Sequence, residues 1–323
     1  WAVVTAPDGT AGKVFVVDRN AGSPDNWGLE HTIINSLNGF GGTVSLDFPY
    51  LAVGAPDSDA VVVYEYRSGA WSELQTLTGS APGGRFGEGL HLQTPYLAVG
   101  APDSGIGDVD VYILANGAFT TLPVAPISLP GSIVGDRIGA TVAIRFPLLV
   151  VGAPGHAGGD GAITVVDAAS GIARAQLDGL AGSGEGFGGT FDVTSDRLAV
   201  GTGTRIETYT FDRQSAGAYN VVPGPVILPP AIAGAGFGTT VALLDDTLVA
   251  GDAGEPARAH VFARNVTNWF HSQSLVVAAS NGTTPVSVDL TSRTVIAGAA
   301  DQSGIGGATL WNRDAEQFVV SGA

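Results

Sequence analysis

Carboxylates are the chemistry-bearing side chains that recur along this sequence. Asp8, Asp57, Asp59, Asp103, Asp108, Asp160, Asp252, Glu255 and Asp301 each follow a Gly-Ala-Pro phrase or a weaker copy of it. Calcium asks for six to eight oxygens at close range, and no single loop holds that many. The local reading is therefore of turn formation, in which an Asp side chain accepts a backbone hydrogen bond two residues on. If a repeat gathers these loops on one face, the same residues form an acidic rim able to steer a basic partner.

Nucleophiles and bases show no familiar spacing. The chain has no Cys, which removes thiol catalysis, disulfides and Cys-based zinc sites together. His31, His91, His156, His260 and His271 are scattered, and only His91, between Leu90 and Leu92, is expected to face a central channel. There is no G-x-S-x-G elbow, no Walker A and no H-E-x-x-H. Gly184-Glu185-Gly186-Phe187-Gly188-Gly189 spells G-x-G-x-x-G but precedes a strand rather than a helix. The residues thus predict no catalytic centre, no cofactor and no metal site, and hence a protein that is not an enzyme.

The elements that carry these residues repeat. Val3-Val4-Thr5-Ala6-Pro7, Ala52-Val53-Gly54-Ala55-Pro56, Ala98-Val99-Gly100-Ala101-Pro102 and Val150-Val151-Gly152-Ala153-Pro154 are versions of one phrase, with weaker copies at Val200-Gly201-Thr202, Ala250-Gly251-Asp252 and Ala297-Gly298-Ala299. The anchors Ala6, Ala55, Ala101, Ala153, Thr202, Asp252 and Ala299 are 49, 46, 52, 49, 50 and 47 residues apart. Seven units of near-constant length fill residues 1–323 as a single domain without a linker. Within a unit, alternation such as Val44 and Leu46 marks half-buried strands, and Arg67-Ser68-Gly69, Asn116-Gly117 and Ser170-Gly171 mark hairpin turns. The second unit reads as strand A near Thr43–Leu46, B near Leu51–Gly54, C near Val61–Tyr66 and D near Trp71–Leu77. Four antiparallel strands in seven units make an all-β, seven-bladed β-propeller. The first unit starts at strand B, so the count is 27 strands, and the first blade lacks its inner strand. That place would be taken by residues upstream of Trp1 or by a strand from another chain. Trp1 itself reads as the start of a mature or trimmed chain.

Phe40-Gly41, then a strand, then Gly54-Ala55-Pro56, then Val61-Val62-Val63-Tyr64 and Trp71-Ser72-Glu73-Leu74, resembles the FG-GAP repeat of integrin α-subunit propellers and of bacterial and algal surface proteins. The Phe-Gly pair recurs at Phe86-Gly87, Phe187-Gly188 and Phe237-Gly238, and softens to Ile138-Gly139. WD and kelch repeats fit less well in signature or period. The integrin units carry calcium in the A–B loop. Here Asp47-Phe48-Pro49-Tyr50 and its equivalents are bare hairpins, so the resemblance is to a calcium-free subclass and no metal site is carried over.

Thirty Asp and Glu against fourteen Lys and Arg give a net charge of −16, which excludes a nucleic-acid partner. Two uncharged stretches are broken by Pro and Gly, so no membrane span is expected. The aromatics Trp27, Trp71, Phe119, Tyr219 and Trp269 open strand D in their units and predict packing between blades. Val124, Ile127 and Leu129, with Val226, Ile227 and Leu228, predict apolar contact edges on the third and fifth units. Asn265 and Asn281 stand in N-glycosylation sequons. The resemblance implies a non-enzymatic extracellular or cell-surface interaction or adhesion module with a protein or glycan partner. The alternative is a self-assembling subunit of a fibre, sheath or coat, as a homo-oligomer or polymer. A third reading, an enzyme using the propeller channel, has no motif behind it.

Overall fold

The structure is a computed structural model describing residues 1–7, 12–21, 26–122, 131–213, 219–277, 286–299, 307–314 and 317–320. Its described strands number 27 and form seven antiparallel sheets, one of three strands and six of four. This is the seven-bladed β-propeller expected from the anchors. Among the described residues, helix is confined to a 3-10 turn at Pro56–Ser58 and one turn at His156–Gly159.

Blade two shows the plan. Thr43–Asp47, Tyr50–Ala55, Ala60–Arg67 and Ala70–Thr78 are strands A to D, each paired with the next. Strand B is covered on both faces, and Leu51, Ala52, Val53 and Ala55 are fully buried. A strand covered on both faces reads as a continuous apolar run, which is why Leu-Ala-Val-Gly-Ala does not alternate. The pairing of C with D slips by one residue in blades one, two, four and six, a β-bulge that re-aims the side chains beyond it. Blade one consists of Ala2–Ala6, Gly12–Asp18 and Gly28–Asn35, which correspond to B, C and D.

The chain divides into two compact units, Trp1–Gly189 with blades one to four and Thr190–Ala323 with blades five to seven. In the first, the Phe-Gly and Gly-Ala-Pro phrases recur together because they touch. Gly87 holds φ at +96°, a conformation few side chains tolerate, and its N–H donates to the Gly100 carbonyl at 2.9 Å. Gly41 and Gly139 do the same to Gly54 and Gly152. Across the blade boundary a Cβ on Gly54 would stand 2.3 Å from the Gly87 oxygen, and one on Gly100 1.9 Å from the Gly139 oxygen. Phe40, Phe86 and Ile138 beside these turns are buried.

Side chains on one face of strand A bind the next blade's first strand or the hairpin that follows it. Ser45 Oγ accepts the Leu92 N–H at 2.9 Å, Asp47 Oδ2 the Thr94 N–H at 2.6 Å, and Gln93 Oε1 the Phe146 N–H at 3.1 Å. On strand D, Gln75 clamps both backbone groups of Phe119, at 2.9 and 3.1 Å. The second unit repeats these devices. Asp192 Oδ2 accepts the Leu243 N–H at 2.7 Å, and Gln273 clamps Phe318 at 2.9 and 2.7 Å. The expected packing between blades holds for Phe119, whose ring meets Tyr50 of blade two at 6.1 Å, whereas the buried Tyr219 packs on Phe211 of its own blade and Trp71 on Tyr66 and Phe48 of its own.

Candidate functional site

Blade six is built from Thr240–Leu244, Thr247–Gly251, Arg258–Arg264 and Trp269–Val276. Strand register places His260 of C opposite Ser274 of D. Successive strand residues point to opposite faces, so His271 and Ser274, three apart, would normally face away from each other. The bulge skips Ser272 between the pairs Val261–Gln273 and Phe262–His271, and that extra residue restores His271 to the Ser274 face.

A continuous hydrogen-bonded chain results. His271 Nε2 is 2.8 Å from Ser274 Oγ, which is 2.7 Å from His260 Nδ1. His260 Nε2 is 3.1 Å from Asp252 Oδ2. Asp252 and His260 are both fully buried, Ser274 is half-buried and His271 is exposed. Asp252 also accepts N–H groups from Gly234 and Arg258, each at 2.6 Å, and from Gly254 at 3.2 Å. Burial by itself would raise the Asp252 carboxyl, but the His260 bond and these three N–H groups outweigh it and hold the group below its ordinary range. Burial, and then repulsion by His260, pushes the His271 imidazole down. With Asp252 ionised, the network assigns the His260 proton to Nε2, leaving the Nδ1 lone pair to accept the Ser274 hydroxyl. Phe237 and Phe262 flank the two rings at 5.7 and 5.4 Å. Serine, imidazole and buried carboxylate in this order can activate a hydroxyl as a nucleophile.

Only Asp252 of this chain stood among the sequence-derived site residues, and for a different reason. It is fully buried, so its place in an acidic rim is corrected: four donors draw the carboxylate inward. Most of the other described carboxylates are also occupied within the protein. Asp57 pairs with Arg85 at 2.7 Å, and Asp103 lies 3.5 Å from Arg137. Asp59 accepts the Gly83 N–H at 2.5 Å and the Phe86 N–H at 3.2 Å. Asp160 accepts the N–H groups of Gly182 and Gly184, and the Gly184 bond leads in lowering its pKa. Asp108 caps Val109. Asp57, Asp59, Asp103 and Asp160 pin the turns that precede Phe86-Gly87, Ile138-Gly139 and Phe187-Gly188, whereas Asp108 bonds within its own strand. Asp8 and Asp301 lie outside the described residues.

Of the apolar edges, Val226 and Leu228 are exposed, but Ile227 is 6% exposed and exchanges backbone hydrogen bonds with Ile206, so its assignment to an outer surface is corrected. Val124, Ile127 and Leu129 lie outside the described residues, as does Asn281. Asn265 is exposed in the C–D turn of blade six. His156 Nδ1 is 2.8 Å from the buried Asp136, and His91 faces Arg145. Among the described residues no cluster of three or more His, Asp or Glu side chains is arranged to hold a metal ion. A cavity of about 20 Å³ beside Arg197, Tyr209, Arg264 and Trp269 admits one water.

Sequence reading missed Ser274 and His260 because no linear motif joins them. One signal was present. Register alignment places His260 where blade two has the buried Val62.

The fold and these bonds define a β-propeller carrying a Ser–His–Asp constellation on one blade. No family model matches the chain, and no curated protein matches it in sequence. Solved structures match in fold. The periplasmic gluconolactonase PpgL of Pseudomonas aeruginosa aligns with TM-score 0.66 and 14% identity over 99% of this chain and 95% of its own. A protein from Lactobacillus plantarum aligns with TM-score 0.64 and 15% identity over 96% and 90%. The computationally designed Ika8 protein aligns with TM-score 0.58 and 15% identity over 98% and 82%.

These likenesses correct the expectation of a non-enzymatic adhesion module or structural subunit. The same architecture in PpgL is that of an enzyme, and no match supports adhesion. The physical reason is that a propeller is a scaffold whose function lies in its sites. The absence of a linear motif was no argument against one assembled across strands. No described helix is long and apolar enough to cross a membrane.

Proposed function

We propose that blade six carries a hydrolytic centre for carboxylic esters, lactones included. The observation that carries this reading is the hydrogen-bonded chain from Ser274 through His260 to the buried Asp252. Ser274 Oγ attacks the carbonyl carbon while His260 Nδ1 takes its proton. The acyl carbon–oxygen bond then breaks, and the same proton passes to the leaving alkoxide. Water, deprotonated by His260, releases the acyl group from Ser274 and regenerates the hydroxyl. Asp252 stays ionised, holds the tautomer and offsets the charge on the imidazolium. His271 Nε2–H, already aimed at Oγ, keeps the hydroxyl oriented. Support comes also from the shared fold, since the P. aeruginosa protein is a gluconolactonase. That protein is periplasmic, which supports reading this chain as exported. The recurring Phe-Gly and Gly-Ala-Pro phrases support an FG-GAP-like repeat of the calcium-free kind.

The test is hydrolysis of p-nitrophenyl acetate and of D-glucono-δ-lactone, with mass spectrometry of the fluorophosphonate-labelled protein. Label on Ser274, and a loss of about a thousandfold or more in a Ser274→Ala variant that still folds, are expected. An unaltered rate in that variant overturns the proposal. His260→Ala should instead unfold more easily, by about 2–3 kcal/mol, because it leaves Asp252 buried without its side-chain partner.

A further inference from the structure

We infer that the open inner place of blade one is a docking site for an extended partner peptide, which completes the blade by pairing with strand Ala2–Ala6. The inference is independent of the Ser274 centre and lies within residues 1–189. Its first basis is burial. Leu51 to Gly54, Leu97 to Gly100 and Leu149 to Gly152, on the B strands of blades two to four, are buried with strand A paired along their inner edge. The equivalent residues of blade one, Ala2 to Thr5, are half-buried. Leu46, on strand A of blade two, is half-buried as well, whereas Leu92 and Ile144 at the same place in blades three and four are 3% and 0% exposed. Both walls of one gap are less covered than their counterparts.

The second basis is a set of backbone donors. In an antiparallel pair, successive residues turn their N–H groups to alternate edges. On strand A, the groups turned away from strand B are taken by side chains of the preceding blade. Ser45 accepts the Leu92 N–H at 2.9 Å and Asp47 that of Thr94 at 2.6 Å. His91 Nδ1 accepts the Ile144 N–H at 3.3 Å and Gln93 that of Phe146 at 3.1 Å. By register, the corresponding groups of blade two belong to Leu46 and Phe48. They turn toward blade one, whose sheet has no strand A among the described residues to present such acceptors. Across the gap, Thr5 stands where Gly100 stands in blade three, and the Gly100 N–H donates to the carbonyl of Gly89, just before strand A, at 2.8 Å. Val3 and Thr5 therefore offer N–H and C=O groups outward, while Ala2, Val4 and Ala6 bond to strand C.

These groups specify the occupant. It runs antiparallel to Ala2–Ala6, as strand A does to strand B. Its residues opposite Val3 and Trp1 carry acceptors for the Leu46 and Phe48 N–H groups, and the residue between them is apolar, as Leu46, Leu92 and Ile144 are. Thr43-Val44-Ser45-Leu46-Asp47 of blade two has this pattern. Main-chain pairing supplies the affinity and the two acceptors the specificity, as in other cases of strand addition.

The experiment is a fluorescence polarisation titration of residues 1–323 with a labelled synthetic peptide copying residues 40–49. Saturable one-to-one binding is expected, with amide hydrogen exchange slowed at Val3, Thr5, Leu46 and Phe48. A peptide carrying Ser45→Ala and Asp47→Ala should bind about tenfold or more weakly, because both acceptors are lost. In the protein, Val3→Pro removes an outward N–H and leaves the bonds to strand C in place, and binding should fall by a similar factor. The altered peptide preserves the test if Val3→Pro does not fold. No saturable binding, equal affinity for the altered peptide, or slowed exchange confined to other strands would each overturn the site. A dimer in sedimentation that the peptide fails to dissociate would overturn it too, since a second copy would then be the occupant.

Discussion

His91 and Asp252 are both driven to the low side of their ordinary titration ranges, yet they mark different pH windows. His91 is lowered to about 3 by burial and the Arg145 charge. Above pH 6.5 the ring is neutral in both folded and unfolded chains, and stability is fully present. As pH falls below 6.5 the unfolded chain takes up a proton that the folded chain refuses, so stability is lost progressively toward pH 3. The slope is roughly 1.4 kcal/mol for each unit between the two values. Asp252, held below the ordinary carboxylate range, contributes stability that is present above about pH 4 and lost only as pH falls through its depressed value. A denaturant titration from pH 7 to 4 should therefore show a decline that His91→Gln flattens. The same variant should leave the loss below pH 4 in place. An unchanged slope in His91→Gln would mean that the ring titrates normally.

Strand B shows why glycine stands in the repeat phrase of blades two to seven. At Gly100 a Cβ would meet the Gly139 oxygen at 1.9 Å, backbone against backbone, where nothing can rotate away. At Gly298, the equivalent place in blade seven, the nearest atom among the described residues that a Cβ would meet is the Gly307 oxygen, 3.9 Å away. Gly100→Ala should cost about 3 kcal/mol or more, and Gly298→Ala less than about 1 kcal/mol, by chemical denaturation. Equal costs would show that the glycines serve chain flexibility instead of close approach. The same elements explain what was legible beforehand. Blade number, strand order and the missing strand of blade one follow from Gly-Ala-Pro spacing, because each phrase marks the same packed contact. The Ser274 site was hidden by its construction. His260 meets Ser274 through strand pairing, and His271 joins them only because the bulge at Ser272 reverses its facing. A one-residue slip in pairing has no consensus in composition or spacing. The inward turn of Asp252 was equally invisible, since it depends on Gly234, Gly254 and Arg258 presenting N–H groups together.

On the scale of the whole molecule, charge acts against the fold. Thirty Asp and Glu against fourteen Lys and Arg leave an excess of negative charge that repels itself over distances far longer than any single contact. The ion pairs that relieve this are local. Arg85 bridges Asp57 at 2.7 Å and Glu88 at 2.5 Å, and Arg137 also reaches Glu88. Salt does not treat the two equally. The screening length falls from about 30 Å at 0.01 M to about 8 Å at 0.15 M, which removes most of the long-range repulsion but leaves contacts of 3 Å largely intact. The melting temperature should therefore rise between 0.01 and 0.15 M sodium chloride, by a few degrees for a gain of about 1 kcal/mol. It should flatten above that range, once the screening length is shorter than the spacing between unpaired carboxylates. Guanidinium-free thermal scans across the series measure this directly. A fall in melting temperature would mean that the Arg85–Glu88–Arg137 network, not the excess of negative charge, dominates the electrostatics of folding.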